Sequence, residues 1–222
     1  MSAYNESDTI VFEVKLDSIT KAMVDEMLYT KNINESNVAT EILDTLKDLY
    51  PILKTYPDLE SLNAMGLASL ISNSIYSEVV YSALYGIDYK FYQMAKADNK
   101  NIDELESGEQ QVGYVIELGS SCPNFILSDV YDKEAIVEEF QALEKLLFKP
   151  ITDSSTPYYD EYLEYNRILI TNRNLQMLEK TEEYFMNDKT YFIVVGLGHL
   201  MSEEGLLNEL EKQGYSIVSM KP

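Results

Sequence analysis

Tyr191-Phe-Ile-Val-Val195 is an unbroken apolar run, as long as a strand buried on both faces and too short for a helix. Gly196-Leu-Gly198 follows as a turn, then a helical stretch from Glu203 to Gln213, Gly214 as its stop, and a second β-rich run from Tyr215 to Met220. Strand, turn, helix and strand in that order predict a βαβ unit with parallel strands and a right-handed crossover. Parallel strands need cover on both faces, so this unit commits the chain to a layered α/β arrangement.

The remainder of the chain supplies that cover. Thr9-Ile-Val-Phe-Glu-Val-Lys-Leu16 predicts a second strand, ended by Asp17-Ser18, with a helix from Ile19 to about Tyr29. Ser36 is a fitting cap for a helix from Asn37 to about Tyr56, in which Val38, Ile42, Leu46, Leu49 and Leu53 form one apolar stripe. Pro51 should kink or split that helix, and Pro57 should end it. A third helix is expected over Leu59 to Leu84, interrupted near Ser72-Asn73-Ser74, with Ala64, Gly66 and Ala68 allowing close packing.

Gly86-Ile-Asp88 turns into a helix from Tyr89 to Ala97, and Lys100 to Leu105 can form a short strand. Gly108 to Asp129 reads as helical with a break over Gly119 to Pro123. Asp132 to Phe148 is a capped helix, Pro150 to Pro157 a loop, and Tyr158 to Met186 one long helix. The expected architecture is a single domain over 1–222 of α/β class, leaning towards α+β. It has a small, mainly parallel sheet of about three to four strands and a large helical insertion over about residues 19–84.

Charge and rare residues exclude several functions. The 222 residues carry 17 Lys and Arg against 38 Asp and Glu, a net charge of −21. Such a surface excludes nucleic acid as a partner and disfavours docking on anionic lipid. With 45% apolar residues, the chain can still bury a core. Its single cysteine, Cys122, excludes an internal disulfide and any cysteine-cluster metal site. Its single histidine, His199, excludes a site within one chain that needs two imidazoles, although a homodimer could bring in a second. Met1 to Ser7 is polar and no apolar segment approaches the ~20 residues of a membrane helix. The expectation is a chain without membrane insertion, cytoplasmic if complete, and exported or in the cell envelope if its N-terminus was trimmed.

Four side chains could carry chemistry. His199 follows a buried strand and a glycine turn, at the edge where open α/β sheets bind ligands; the plainer alternative is a strand-capping histidine. Gly196 and Gly198 let the backbone turn and a ligand approach. Glu13 interrupts an apolar strand, and a buried carboxylate needs a cation, a metal or a proton. Alternation, which sets Phe12 and Val14 on one face and Val11, Glu13 and Lys15 on the other, could instead leave it solvated. Glu106 closes the short strand after Leu105 and could reach the same edge, or belong to a solvated acidic turn with Asp103, Glu104 and Glu109. Arg173, in a chain poor in arginine, could hold a substrate carboxylate, pair with Glu13 or Glu106, or form a surface ion pair. Tyr158 to Tyr165 reads as a helix face packing its tyrosines partly inward, with a partner surface as the alternative, and Cys122 as a small buried residue. No phosphate loop, dinucleotide fingerprint or nucleophile elbow occurs.

Several short stretches share an order and spacing: Gly86-Ile-Asp88 with Phe91 and Ala95, Leu105-Glu-Ser107 with Gln111, Arg173-Asn174 with Met177, and Val194-Val-Gly-Leu-Gly-His-Leu200 with Gly205-Leu206 and Gly214-Tyr215. Over nearly the whole chain they resemble the TraB/GumN family, related to the Tiki metalloproteases. The resemblance implies an EreA/ChaN-like fold and two GxxH motifs. Gly196-Leu-Gly-His199 matches the second; the first is not in this sequence, and Ser202 replaces a family glycine.

By resemblance, His199, Glu13 and Glu106 would be the metal ligands and, with Arg173, the catalytic residues. A one-histidine, two-carboxylate set suits Mn²⁺ or Co²⁺ better than structural Zn²⁺. Two functions follow from the resemblance. One is a metal-dependent, peptidase-like hydrolase, with or without remaining activity after the loss of one histidine motif. The other is a non-catalytic protein that sequesters a peptide, of the TraB pheromone-shutdown type. The expected partner is a peptide or protein in either case.

Overall fold

The structure is a computed structural model that describes residues 2–29, 38–57, 59–79, 86–128, 130, 158–201 and 204–219. In chain order the elements are α1 (Ser2–Glu6), β1 (Thr9–Phe12), α2 (Lys21–Tyr29), α3 (Thr40–Leu49), α4 (Ala64–Val79), α5 (Ile87–Ala97), β2 (Asn101–Glu104), α6 (Gly108–Ser121) and α7 (Pro123–Ser128). After them come α8 (Tyr159–Asn166), α9 (Asn172–Phe185), β3 (Tyr191–Val194), α10 (Leu197–Met201) and α11 (Leu206–Lys212). The expected helix over Asp132 to Phe148 and the loop over Pro150 to Pro157 lie outside the described residues. The chain forms two compact units, one of residues 1–20, 82–111 and 166–222, the other of 21–81 and 112–165.

The first unit holds a three-stranded, wholly parallel sheet in the order β2-β1-β3, so the fold is the mixed α/β one expected. Thr9 to Phe12 pair with Asn101 to Glu104 on one side and Tyr191 to Val194 on the other. All four residues of β1 are buried because this strand has neighbours on both edges and helices on both faces. Ile10 and Phe12 pack with Tyr4, Tyr92 and Ala95, while Val11 packs oppositely with Met177, Leu178, Leu206 and Leu210. The chain leaves β1 for β2 on one side and returns to β3 on the other. The gap beyond the carboxyl ends of β1 and β3 is therefore a topological switch point, where open α/β sheets take their ligands.

Helix ends in this unit are closed locally. Beyond α5, Asn99 takes a left-handed backbone with φ 52°, and the amides of Asn99 and Lys100 donate to the carbonyls of Lys96 and Ala95. Gly214, with φ 96°, repeats the motif after α11: the amides of Gly214 and Tyr215 donate to Glu211 and Leu210.

The second unit is helical. Ile42 and Leu46 of α3 pack with Leu53, with Leu67, Ile71 and Ile75 of α4, and with Leu127 of α7. Pro51 splits the expected long helix as anticipated: α3 stops at Leu49 and a 3₁₀ turn spans Pro51–Lys54. The interruption expected near Ser72-Asn73-Ser74 is absent and α4 runs through it, since the Ser74 hydroxyl donates to the Ile71 carbonyl within the helix. Asn63 caps α4, its Oδ1 accepting from the amide of Gly66 at 2.8 Å while its Nδ2 donates to the Met27 carbonyl. Tyr162 and Tyr165 meet Phe125 at steep angles, with ring centroids 5.5 and 5.1 Å away, so these two half-buried tyrosines of the run pack partly inward.

Three further expectations need correction. Residues 215–219 form no strand, so the C-terminal βαβ unit is not closed among the described residues. Tyr215 is held sideways on Phe185 at 5.0 Å and Val218 is 78% exposed, which leaves the segment without a face to bury. Gly196-Leu-Gly198 is the entry to α10 rather than a free turn: the His199 amide donates to the Gly196 carbonyl at 3.0 Å. The long helix over Tyr158 to Met186 is broken by a π-helical turn, Arg167–Thr171, between α8 and α9. A π turn inserts one residue and so rotates every later side chain by about 100° around the axis.

Candidate functional site

Glu13, Glu106, Arg173 and His199 come together at the carboxyl edge of the sheet. Glu13 is the first residue beyond β1 and stays in register, its amide donating to the Val194 carbonyl and its carbonyl accepting from the Glu106 amide. That pairing carries Glu106 to the same edge. Alternation places Glu13 on the face covered by α9, with Val11, and α9 contributes Arg173 there.

Arg173 bridges the two carboxylates. Its Nε donates to Glu106 Oε1 at 2.9 Å and Oε2 at 3.2 Å, and its Nη2 donates to Glu106 Oε2 at 2.7 Å. Nη2 also forms a short ion pair with Glu13 Oε1, and Nη1 donates to the Leu169 carbonyl at 3.3 Å. That carbonyl belongs to the π turn, so the helical irregularity faces the site. Glu106 is 1% exposed, a burial tolerable for a carboxylate only because a guanidinium meets it fork to fork. Burial pushes the Glu106 carboxyl above its ordinary value against the pull of Arg173. Burial also acts to raise Glu13, but Arg173 overrides it and holds that carboxyl below the usual range.

His199 completes the cluster at 4% exposure. Its Nδ1 lies 2.6 Å from Asn174 Oδ1, and its Nε2 lies 3.8 Å from Glu13 Oε2. Burial lowers the imidazole pKa below 6.5, with Glu13 opposing and Arg173 assisting, so the ring is neutral at pH 7.

Neither Gly196 nor Gly198 has positive φ, and a Cβ at either would make only ordinary van der Waals contact. A Cβ on Gly196 would stand 3.7 Å from both Glu13 Oε2 and His199 Cδ2, and one on Gly198 3.4 Å from Ile170 Cδ1. Gln111 donates to Glu13 Oε1 at 3.2 Å, and the Gly196 amide to Glu13 Oε2 at 3.4 Å. In the sequence Asn174 and Gln111 carry part of the family resemblance, with no role assigned to either. A polar side chain on a helix names no partner until the helix is docked.

A catalytic divalent metal needs about three protein donors and an open position. Here Arg173 engages both Glu106 oxygens and one Glu13 oxygen, leaving Glu13 Oε2 and His199 Nε2. No group of three or more His, Cys, Asp and Glu side chains able to hold a metal ion occurs among the described residues. The donors present do not make up the three-ligand set that the resemblance implies.

A three-stranded parallel sheet with Glu13, Glu106, Arg173 and His199 gathered at the carboxyl ends of its strands defines an α/β protein. The chain belongs to the TraB/PrgY/gumN family, whose model matches residues 1–219. No curated protein and no solved structure matches it. Among the described residues, no helix is long and apolar enough to cross a membrane.

Proposed function

We propose that this protein is a peptidase-like hydrolase whose attacking water is held between Glu13 and His199. The observation that carries this reading is the pairing of Glu13 Oε2 with His199 Nε2, 3.8 Å apart at the switch point. Two acceptors at that distance do not bond each other, yet one water can lie at about 2.8 Å from both. His199 takes a proton from that water as its oxygen attacks the scissile carbonyl carbon. Glu13 stabilises the imidazolium that forms, and the proton passes to the leaving amine as the C–N bond breaks. Arg173 holds Glu13 ionised and in place.

Cleavage of a fluorogenic peptide library tests the reading, with rates of His199→Ala and Glu13→Gln expected to fall by about 10²–10⁴-fold. Intact peptides in every well, with the protein folded, would remove it. The same two atoms are the donors a divalent cation would engage. Calorimetric titration of Mn²⁺ and Co²⁺ into chelator-stripped protein therefore belongs beside the assay. One-to-one binding that disappears in His199→Ala would overturn the metal-free form of this reading.

A second reading, a non-catalytic peptide-sequestering protein, is favoured by the sheet edges. Among the described residues β2 and β3 each pair on one side only, which leaves strand edges that an extended peptide could extend. It predicts peptide binding that is indifferent to His199→Ala and yields no cleaved product.

A further inference from the structure

Asn174 is 2% exposed on α9, between the π turn and the first residues beyond α10. Its amide has one orientation that satisfies both of its ends. Nδ2 donates to the Glu204 carbonyl at 2.7 Å, an oxygen that can only accept. Oδ1 is therefore the atom turned to His199 Nδ1, 2.6 Å away. Oδ1 also only accepts, so Nδ1 must carry the hydrogen, and a neutral imidazole then has a bare lone pair on Nε2. The opposite tautomer would set two lone pairs against each other at 2.6 Å inside the protein, an unsatisfied contact of the kind folded chains avoid. It would gain little at the other nitrogen, because 3.8 Å to Glu13 Oε2 is too long for a hydrogen bond.

We infer that Asn174 is a positioning residue that fixes His199 as the Nδ1–H tautomer and aims the Nε2 lone pair at the gap beside Glu13. Its catalytic consequence rests on the hydrolytic reading; the tautomer itself does not. Asn174 is held in turn by Glu204, whose carbonyl it meets and whose carboxylate accepts from Thr171, the last residue of the π turn. One side chain thus couples the irregular stretch of the long helix to the protonation geometry of the only imidazole in the chain.

That single histidine makes the test unambiguous. In protein with isotope-labelled histidine, held at a pH where the ring is neutral, nitrogen NMR should show Nδ1 as the protonated, pyrrole-type nitrogen and Nε2 as the bare, pyridine-type one. Asn174→Leu should move the hydrogen to Nε2, and Asn174→Asp, which keeps an acceptor, should retain the native pattern. Where a peptide is cleaved, kcat should fall by about 10²-fold in Asn174→Leu, with KM steady and kcat recovered in Asn174→Asp. An Nε2–H tautomer in the wild type, or an unchanged Nδ1–H tautomer in a folded Asn174→Leu protein, would overturn the inference. A wild type that shows the predicted tautomer and cleaves no peptide would overturn the hydrolytic reading alone.

Discussion

Arg173 is enclosed by Glu106, Glu13 and the Leu169 carbonyl, and its side chain is 6% exposed. Its removal leaves a buried carboxylate without a counter-charge, so Arg173→Ala should lose about 3–5 kcal/mol of stability in urea denaturation. Arg173→Lys should recover only part of this, because an ammonium cannot meet Glu106 through two parallel hydrogen bonds. Stability should also depend on pH with a definite sign. His199 has a folded pKa below 6.5, so the unfolded chain binds more protons in the window beneath that value. Its contribution is complete above 6.5 and is lost as pH falls through the depressed folded pKa. Glu13, depressed below 4.5, adds a second loss of the same sign at lower pH, while Glu106, raised by burial, acts in the opposite sense. The denaturation midpoint should decline on acidification below 6.5, and His199→Gln should flatten the first part of that decline. An unchanged slope in the variant would place the titration elsewhere.

The elements are fixed by short-range chemistry that single substitutions can probe. Gly66 lies where α4 meets α2: an added Cβ would stand 2.6 Å from the Leu28 carbonyl oxygen and 2.9 Å from Leu62 Cδ2. The contact at 2.6 Å is with backbone, which cannot swing aside, so Gly66→Ala should destabilise by about 1–3 kcal/mol. Gly214 presents the opposite case. A Cβ there would meet nothing within 4 Å, and only its φ of 96° disfavours a side chain, so Gly214→Ala should cost about 1 kcal/mol. Glu161 accepts from the Asn124 amide at 2.8 Å, from Asn124 Nδ2 at 2.8 Å and from the Phe125 amide at 2.9 Å. Asn124 Oδ1 in turn accepts from the Ala39 amide at the start of α3. Each of the three glutamate bonds has a backbone or side-chain donor that would be orphaned together, so Glu161→Gln should be milder than Glu161→Ala in thermal denaturation.

At the scale of the molecule the net charge of −21 is a distributed self-repulsion that works against compactness. Salt screens it over a Debye length of about 10 Å at 0.1 M. The thermal midpoint should therefore rise with sodium chloride across this range, and a midpoint that falls would show that screened attractions outweigh the repulsion. The site is spared most of this effect, because its charges are buried and paired with one another.

The sequence by itself determined the apolar periodicities, and with them the parallel sheet, the split of α3 at Pro51 and the stop at Gly214. These follow from side-chain and backbone chemistry acting within a few residues. It also singled out Glu13, Glu106, Arg173 and His199, Glu13 because a charge in an apolar strand needs a reason. Tertiary structure alone decided that Glu106 belongs to a buried ion pair and not to a solvated turn, and that Tyr215 to Val218 stays outside the sheet. It likewise decided that a π turn interrupts the long helix, and that Asn174 stands against His199. Each of these depends on what a segment meets across the fold, at separations such as the 67 residues between Glu106 and Arg173, where local pattern carries no information about the partner.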